Sequence, residues 1–211
     1  MSVQLVEWMG GDVNVVNAAR VSFAKQHDEF QESDKSLINY LAKHNHWSPF
    51  AHCFFSFRIK APIFVARQLV KHQVGLAWNE VSRRYVDDEP EFYFPQVWRG
   101  KPVNAKQGST GVVENFDPSF AEYPAKIAVT HYEVMLGRGI APEQARMVLP
   151  QNTMTEWIWS GSLMAFARVC KLRLDPHAQL ETQEVAKEIQ RLISETGSFK
   201  HSWTALMENN N

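Results

Sequence analysis

The sequence predicts one α+β domain, and three observations point there. At 211 residues the chain is long enough for a single domain with a sizeable core. Its apolar residues recur with two periods, a twofold alternation from His52 to Lys60 and helical spacings on either side of it. No internal repeat, low-complexity tract or linker divides the run, so residues 1–211 read as one unit. A hydrophobic fraction of 45% against 21% charged residues is that of an ordinary soluble globular protein.

Residues 2–8 read as a short strand. Asp12 suits the start of a helix through Phe23, with Val13, Val16 and Ala19 or Arg20 in helical register. The charged stretch from Lys25 to Asp34 is a loop, and Ser33 or Asp34 then caps a helix from Lys35 to His44. In the strand from His52 to Lys60, Phe55, Phe57 and Ile59 fall on one face and Phe54, Ser56 and Arg58 on the other.

Pro62 suits a first helical position, because its missing N–H has no helical partner there. After it Ile63, Phe64, Val65, Leu69 and Val70 offer a buried surface, while Arg67, Gln68, Lys71 and His72 cluster within two turns. Gly75 is the expected stop, since glycine tolerates the left-handed conformation beyond a last turn. From Asp87 to Asn115 the chain is loop-rich, with Pro90, Pro95 and Pro102, and so long an irregular stretch is usually functional or mobile. Asp117-Pro118 opens a helix to about Leu136, broken by Gly137 and Gly139, and another runs from Pro142 to near Pro150. Thr155 to Arg173 is apolar enough for a buried element, partly helix and partly strand. After Asp175-Pro176 an amphipathic helix turns Val185, Ile189, Leu192 and Ile193 inward.

A formal net charge of −1 leaves no footprint for general nucleic-acid binding, although Arg83 and Arg84 cluster locally. No apolar run approaches the roughly 20 residues that cross a bilayer, and Glu7, Gly10, Gly11 and Asp12 interrupt any signal-like segment. Cys53 and Cys170 sit in apolar patterns, which predicts reduced, buried thiols and a cytoplasmic setting, that of a host cell if the chain is phage-encoded. His44, His46 and His52 have Trp47, Pro49 and Phe50 as neighbours rather than further carboxylates or thiols, so no metal is predicted.

The stretch from Lys60 to Tyr85 organises the chain. Its second half, Asn79-Glu80-Val81-Ser82-Arg83-Arg84-Tyr85, packs amide, carboxylate, hydroxyl and guanidinium groups into a run too polar for a core. Far downstream, Arg173 lies between Leu172 and Leu174, where a guanidinium needs a carboxylate, phosphate or carbonyl partner. Glu143 and Arg146 have the spacing of a surface pair on a helix.

These residues resemble the signature of the flavin-dependent thymidylate synthases, an Arg-His-Arg triplet followed by a Ser and then Arg-Tyr. Asn79, Glu80, Ser82, Arg84 and Tyr85 match in order. Further matching blocks are Ala18 to Phe23, His44 to His52, Pro142 to Pro150 and Leu172 to Gln179, so the similarity runs from Met9 to about Gln183. The chain departs at Lys71-His72-Gln73 in place of the triplet, with one extra residue before Ser82 and Ala77 for a common serine. Gly161, Ser162 and Met164 stand where the family commonly has Asn-x-Arg on the flavin, and Ala51 replaces an acid. These departures predict weaker FAD binding.

The resemblance implies a mixed sheet packed with helices, and a homotetramer whose active sites are shared between subunits. The implied reaction is reductive methylation of dUMP to dTMP, with methylenetetrahydrofolate as carbon donor, FAD as cofactor and NADPH as reductant. Arg84 with Ser82, supported by Gln68 and Arg146, would hold the nucleotide phosphate. Arg173 would bond the uracil carbonyls, and Glu80 would hold those arginines or a ribose hydroxyl. FAD would meet Ser22, Ser48, Lys71, His72, Gln73, Asn79 and His177. His46 and Trp47 would lie on the folate side. Cysteine addition to uracil needs a thiolate of lowered pKa, which the apolar settings of Cys53 and Cys170 do not favour. A dUMP hydroxymethylase on the same scaffold and a non-catalytic nucleotide or flavin binder are the alternatives.

Overall fold

The computed structural model describes residues 1–86, 88–103 and 108–209. Alternation beginning at Phe54 becomes strand β2 (Phe54–Pro62), which lies inside a four-stranded sheet. Its companions are β1 (Ser2–Met9), β3 (Leu76–Glu80) and β6 (Met154–Ser162), in the order β1-β2-β6-β3. The predicted faces hold: Phe55, Phe57 and Ile59 are buried, whereas Phe54 and Arg58 are exposed. Register places Phe57 opposite Trp159 and Trp78 opposite Trp159, so aromatic side chains line the inner face. The α+β class stands as expected. Within it each of these pairings is antiparallel, where the family resemblance implied a mixed sheet.

Helices cover the inner face. Strand β6 runs directly into α6 (Leu163–Arg173), whose Phe166 packs edge-on to Phe57 at 5.0 Å and to Trp159 at 5.4 Å. Ser162 starts that helix, its Oγ accepting the Ala165 N–H at 3.2 Å. Gly161 is sterically required, because a Cβ there would stand 2.5 Å from the Gly75 carbonyl oxygen and block β3 from pairing. Positions 161, 162 and 164 therefore serve the β6–α6 junction.

The remaining body is α1 (Asp12–Arg20), α2 (Asp34–Lys43), α3 (Ile63–Leu69), α7 (Leu180–Glu195) and α8 (Lys200–Glu208). Between β3 and β6 come the two-stranded ribbon β4 (Arg99–Gly100) and β5 (Thr110–Val112), then α4 (Ser119–Gly137) and the short α5 (Pro142–Ala145). The irregular stretch expected from Asp87 to Asn115 includes Asp87 and residues 104–107, which lie outside the described residues. Among the described residues no helix is long and apolar enough to cross a membrane.

Several expectations are corrected. Pro62 closes β2 and sits at the cap of α3 with ψ of 154°, one position before the helix proper. That helix ends at Leu69. Gly75, with φ of +76°, serves the turn into β3 instead. Helix α1 stops at Arg20 and continues as a 3₁₀ turn, Val21–Phe23. Asp12 caps a different helix from the one expected: its carboxylate accepts the N–H groups of His201 at 2.9 Å and Ser202 at 2.8 Å, at the start of α8. Asp34 is fully buried, and its carboxylate pairs with Arg20 at 2.6 Å rather than capping α2.

Candidate active site

Two chain connections create the site. Helix α3 emerges from β2 and delivers Gln68 and, one turn on, His72. Helix α6 emerges from the neighbouring strand and delivers Arg173 at its last residue. The three side chains meet. Arg173 Nε donates to His72 Nε2 at 2.9 Å and Nη2 donates to the Gln68 carbonyl oxygen at 3.1 Å. The partner demanded by an arginine in an apolar segment is thus an imidazole and a helix-end carbonyl, and among the described residues no carboxylate pairs with it. Since a guanidinium only donates, His72 Nε2 must accept, and its proton sits on Nδ1. Burial, reinforced by the Arg173 charge, lowers the His72 pKa and favours that neutral form.

Arg173 and Gln68 line a cavity of about 470 Å³ together with Leu172, Asp175, His177 and Gln179. Asp175 Oδ1 accepts the His177 backbone N–H at 2.7 Å and meets its ring Nδ1 at 3.0 Å, which shapes the rim while leaving the imidazole exposed. Gln68 is held from behind by Gln179 and by the Thr182 hydroxyl, and Gln179 is bonded in turn to Glu181. Sequence reasoning gave no role to Gln179, Glu181, Thr182 or Arg99. The available signal was Glu181 in the first turn of an amphipathic helix, where an acid is favoured, and nothing local shows that it is buried.

The second half of the motif is arranged differently. Ser82 Oγ accepts from Arg84 Nε at 3.0 Å, and the exposed Arg84 guanidinium lies 5.0 Å from the Tyr85 ring centroid. Glu80 does not hold the arginines: its oxygens accept from Thr155 Oγ1 at 2.7 Å and Trp78 Nε1 at 3.1 Å. The reason is strand geometry, which places residues 78 and 80 on one side of β3 while Arg84 lies beyond its end. Arg146 is exposed after α5, donating from Nε to the Glu143 carbonyl oxygen at 3.3 Å rather than to its carboxylate.

Lys71, Gln73 and Asn79 are exposed, and among the described residues their side chains make no hydrogen bond or ion pair. Ser22, His46, Trp47 and Ser48 are likewise exposed, on the turns that follow α1 and α2. No hydrogen bond among the described residues joins them to the Arg173 group. Cys53 is buried, and burial pushes its thiol up to about 11; burial raises Cys170 as well, so neither is poised as a thiolate. Among the described residues no three His, Cys, Asp or Glu side chains are placed to hold a metal ion.

The cavity thus combines the Arg173 guanidinium, the amides of Gln68 and Gln179 and the His177 ring with the Asp175 carboxylate at its rim. Residues 4–196 match the family model described as thymidylate synthase complementing protein. A flavin-dependent thymidylate synthase of Thermus thermophilus is 39% identical over 209 residues, covering 98% of this chain and 75% of that one. One from Thermosipho africanus is 38% identical over 206 residues, covering 96% and 88%. The crystal structure of a UMP/dUMP methylase, PolB from Streptomyces cacaoi, bound with 5-Br dUMP superposes with a TM-score of 0.86 at 30% identity, over 97% of this chain and 93% of that one. The chain belongs to the flavin-dependent thymidylate synthase family.

Proposed function

We propose that the cavity formed by Gln68, Arg173 and their neighbours takes the nucleotide in the reductive methylation of dUMP to dTMP. The observation that carries this reading is the Arg173 guanidinium. It is fixed by His72 and the Gln68 carbonyl, it lines the cavity, and among the described residues no carboxylate pairs with it, Asp175 on the rim being bonded to His177. Such fixed donors stabilise charge that develops on a uracil carbonyl when hydride adds to the ring. Ser82, Arg84 and Arg146 supply the phosphate contacts, and Glu80 braces the end of β3 beneath them.

The residues present fit a flavin. Lys71 and Gln73 offer uncommitted polar groups on either side of His72, whose Nδ1–H is a donor of fixed sense, and Asn79 offers another on β3. With His177, Ser22 and Ser48 they would hold FAD, while His46 and Trp47 take the folate side. When bound, FAD supplies the hydride chemistry, with NADPH as reductant and methylenetetrahydrofolate as carbon donor. Lys71 gives a point charge and Gln73 a neutral amide, so the grip on FAD is weaker than two arginines would give.

The functional unit is residues 1–211 as one domain, assembled as a homotetramer with shared sites. Phe120, Tyr123 and Met147 support this, being 75%, 65% and 74% exposed around the segment that carries Arg146. The small-molecule partners are dUMP and folate, with no nucleic acid or membrane involved. Two buried free thiols suit a reducing cytoplasm.

The test is an assay with dUMP, methylenetetrahydrofolate, NADPH and FAD, with the product identified by mass. Formation of dTMP is expected. A hydroxymethylated product, or no turnover despite bound FAD, would contradict the assignment. UMP belongs beside dUMP in that assay because the PolB relative is described as a UMP/dUMP methylase.

A further inference from the structure

A side-chain amide offers a donor on one side and an acceptor on the other, and a half-turn exchanges them. What Gln68 presents to the cavity is therefore decided by what grips it from behind. Glu181, only 3% exposed, begins that grip: Arg99 Nη2 donates to its Oε1 at 2.7 Å. Burial works to raise the Glu181 carboxyl, but the hydrogen bonds from Arg99, its own backbone N–H and Gln179 hold it below the usual range.

A carboxylate can only accept, so Gln179 must turn Nε2 to Glu181 Oε2, at 3.0 Å. Gln179 is then left with Oε1 toward Gln68, which must answer with its own Nε2. The Gln68 Oε1 receives the Thr182 hydroxyl at 3.2 Å. Each link has its sense set from the Glu181 end, which turns Gln68 Oε1 to Thr182 and leaves Nε2 a second N–H to offer a ligand.

We infer that Glu181, acting through Gln179, is a positioning residue that fixes Gln68 as a donor toward the cavity and so selects a nucleotide presenting an acceptor oxygen there. This rests on the cavity being the nucleotide site. Either a uracil carbonyl or a phosphate oxygen has the required chemistry, and a cytosine amino group does not.

The test measures the dissociation constant of dUMP by calorimetry on the full chain with FAD, beside kcat, KM and Tm. Glu181→Gln should weaken dUMP by about fivefold or more, in Kd and KM together, with kcat within about twofold. Arg99→Met keeps a carboxylate for Gln179 to bond, so it should lower Tm while moving the Kd by less than about twofold. Equal losses in both variants would mean that the ion pair serves only the fold, and a folded Glu181→Gln chain of unchanged affinity would equally overturn the inference.

If Glu181→Gln does not fold, Thr182→Val should weaken dUMP and Thr182→Ser restore it, whereas equal affinities for these two and the wild type would sink the idea. The same variants with deoxyuridine identify the oxygen: a penalty that persists assigns a uracil carbonyl, and one that vanishes assigns the phosphate. A wild-type chain that binds no dUMP overturns the nucleotide reading alone. In that event the Gln68 side-chain amide protons still report on the relay, broadening in Glu181→Gln if Glu181 sets their sense and staying sharp if it does not.

Discussion

The Arg173 cluster and the segment after β3 carry the same kinds of polar group, yet they are built in opposite ways. Around Arg173 each group is answered from within the chain: guanidinium to imidazole, amide to amide, amide to carboxylate. Lys71, Gln73, Asn79 and, on their turns, Ser22 and Ser48 are exposed and make no side-chain hydrogen bond among the described residues. Beyond β3, Ser82, Arg83 and Arg84 bond only within their own segment. Strand β3, five residues and roughly 16 Å long at about 3.3 Å per residue, lies between the Arg173 cluster and the Ser82–Arg84 segment. A pre-bonded cluster enters a reaction with its geometry fixed, whereas open groups acquire theirs from a ligand or a neighbouring chain. Substitution of Arg173 itself should therefore reach the chemical step, whereas changes in the relay behind Gln68 and in the open groups should act on binding.

The largest effect expected is on turnover. Arg173→Ala should lower kcat by about a hundredfold or more while the chain remains folded, since one lost donor to a developing oxyanion costs about 2.7–4 kcal/mol. Retention of more than a tenth of wild-type turnover, measured under saturating dUMP, would move Arg173 out of the chemical step. Next comes a gain on the open side. Gln73→Arg adds a charged fork at an uncommitted position and should tighten FAD by about tenfold, because charge-assisted hydrogen bonds contribute about 1.5–3 kcal/mol. Fluorescence titration of the apoprotein measures it, and an unchanged constant would mean that position 73 faces away from the cofactor.

Acid should probe the closed region. His72 is held below its usual range in the folded chain, while the unfolded residue titrates near pH 6.5. The stability it lends is therefore complete above about pH 6.5 and declines as pH falls from there toward the folded-state value. Wild type should lose more stability than His72→Asn between about pH 7.5 and 5.5 in urea melts, and parallel curves would contradict the buried neutral imidazole. The smallest effect concerns the thiols. Cys53→Ala with Cys170→Ala should leave kcat within a few fold, with modest packing losses, because burial disfavours the thiolate at both. Inactivation of a folded Cys53→Ala chain would restore a cysteine nucleophile.

Parts of this architecture were legible in the sequence, for local reasons. The faces of β2 follow from alternation at Phe55, Phe57 and Ile59, and the buried side of α7 from the spacing of Val185, Ile189 and Ile193. Arg173 was legible because a guanidinium among leucines needs a partner. Strand β3 was not, since Leu76 to Glu80 becomes a strand only by pairing with β6, far along the chain. Nor was the anchor of Gln68, because the Arg99–Glu181 pair spans 82 residues. Asp12 shows the same limit: a helix-start residue by local rules, it caps the start of α8, 189 residues away.

One measurement tests most directly whether the closed and open regions meet across chains. Arg173→Ala and Arg84→Ala are prepared separately, each expected to be nearly inactive at limiting dUMP, then mixed in equal amounts, allowed to exchange subunits and assayed for dTMP. If one chain's Arg173 cavity is completed by another chain's Arg84, random exchange creates intact sites, and activity should rise to about a quarter of wild type. Activity that stays at the average of the two variants, with mixed oligomers demonstrably formed, would contradict the account and place both arginines in a site made by one chain.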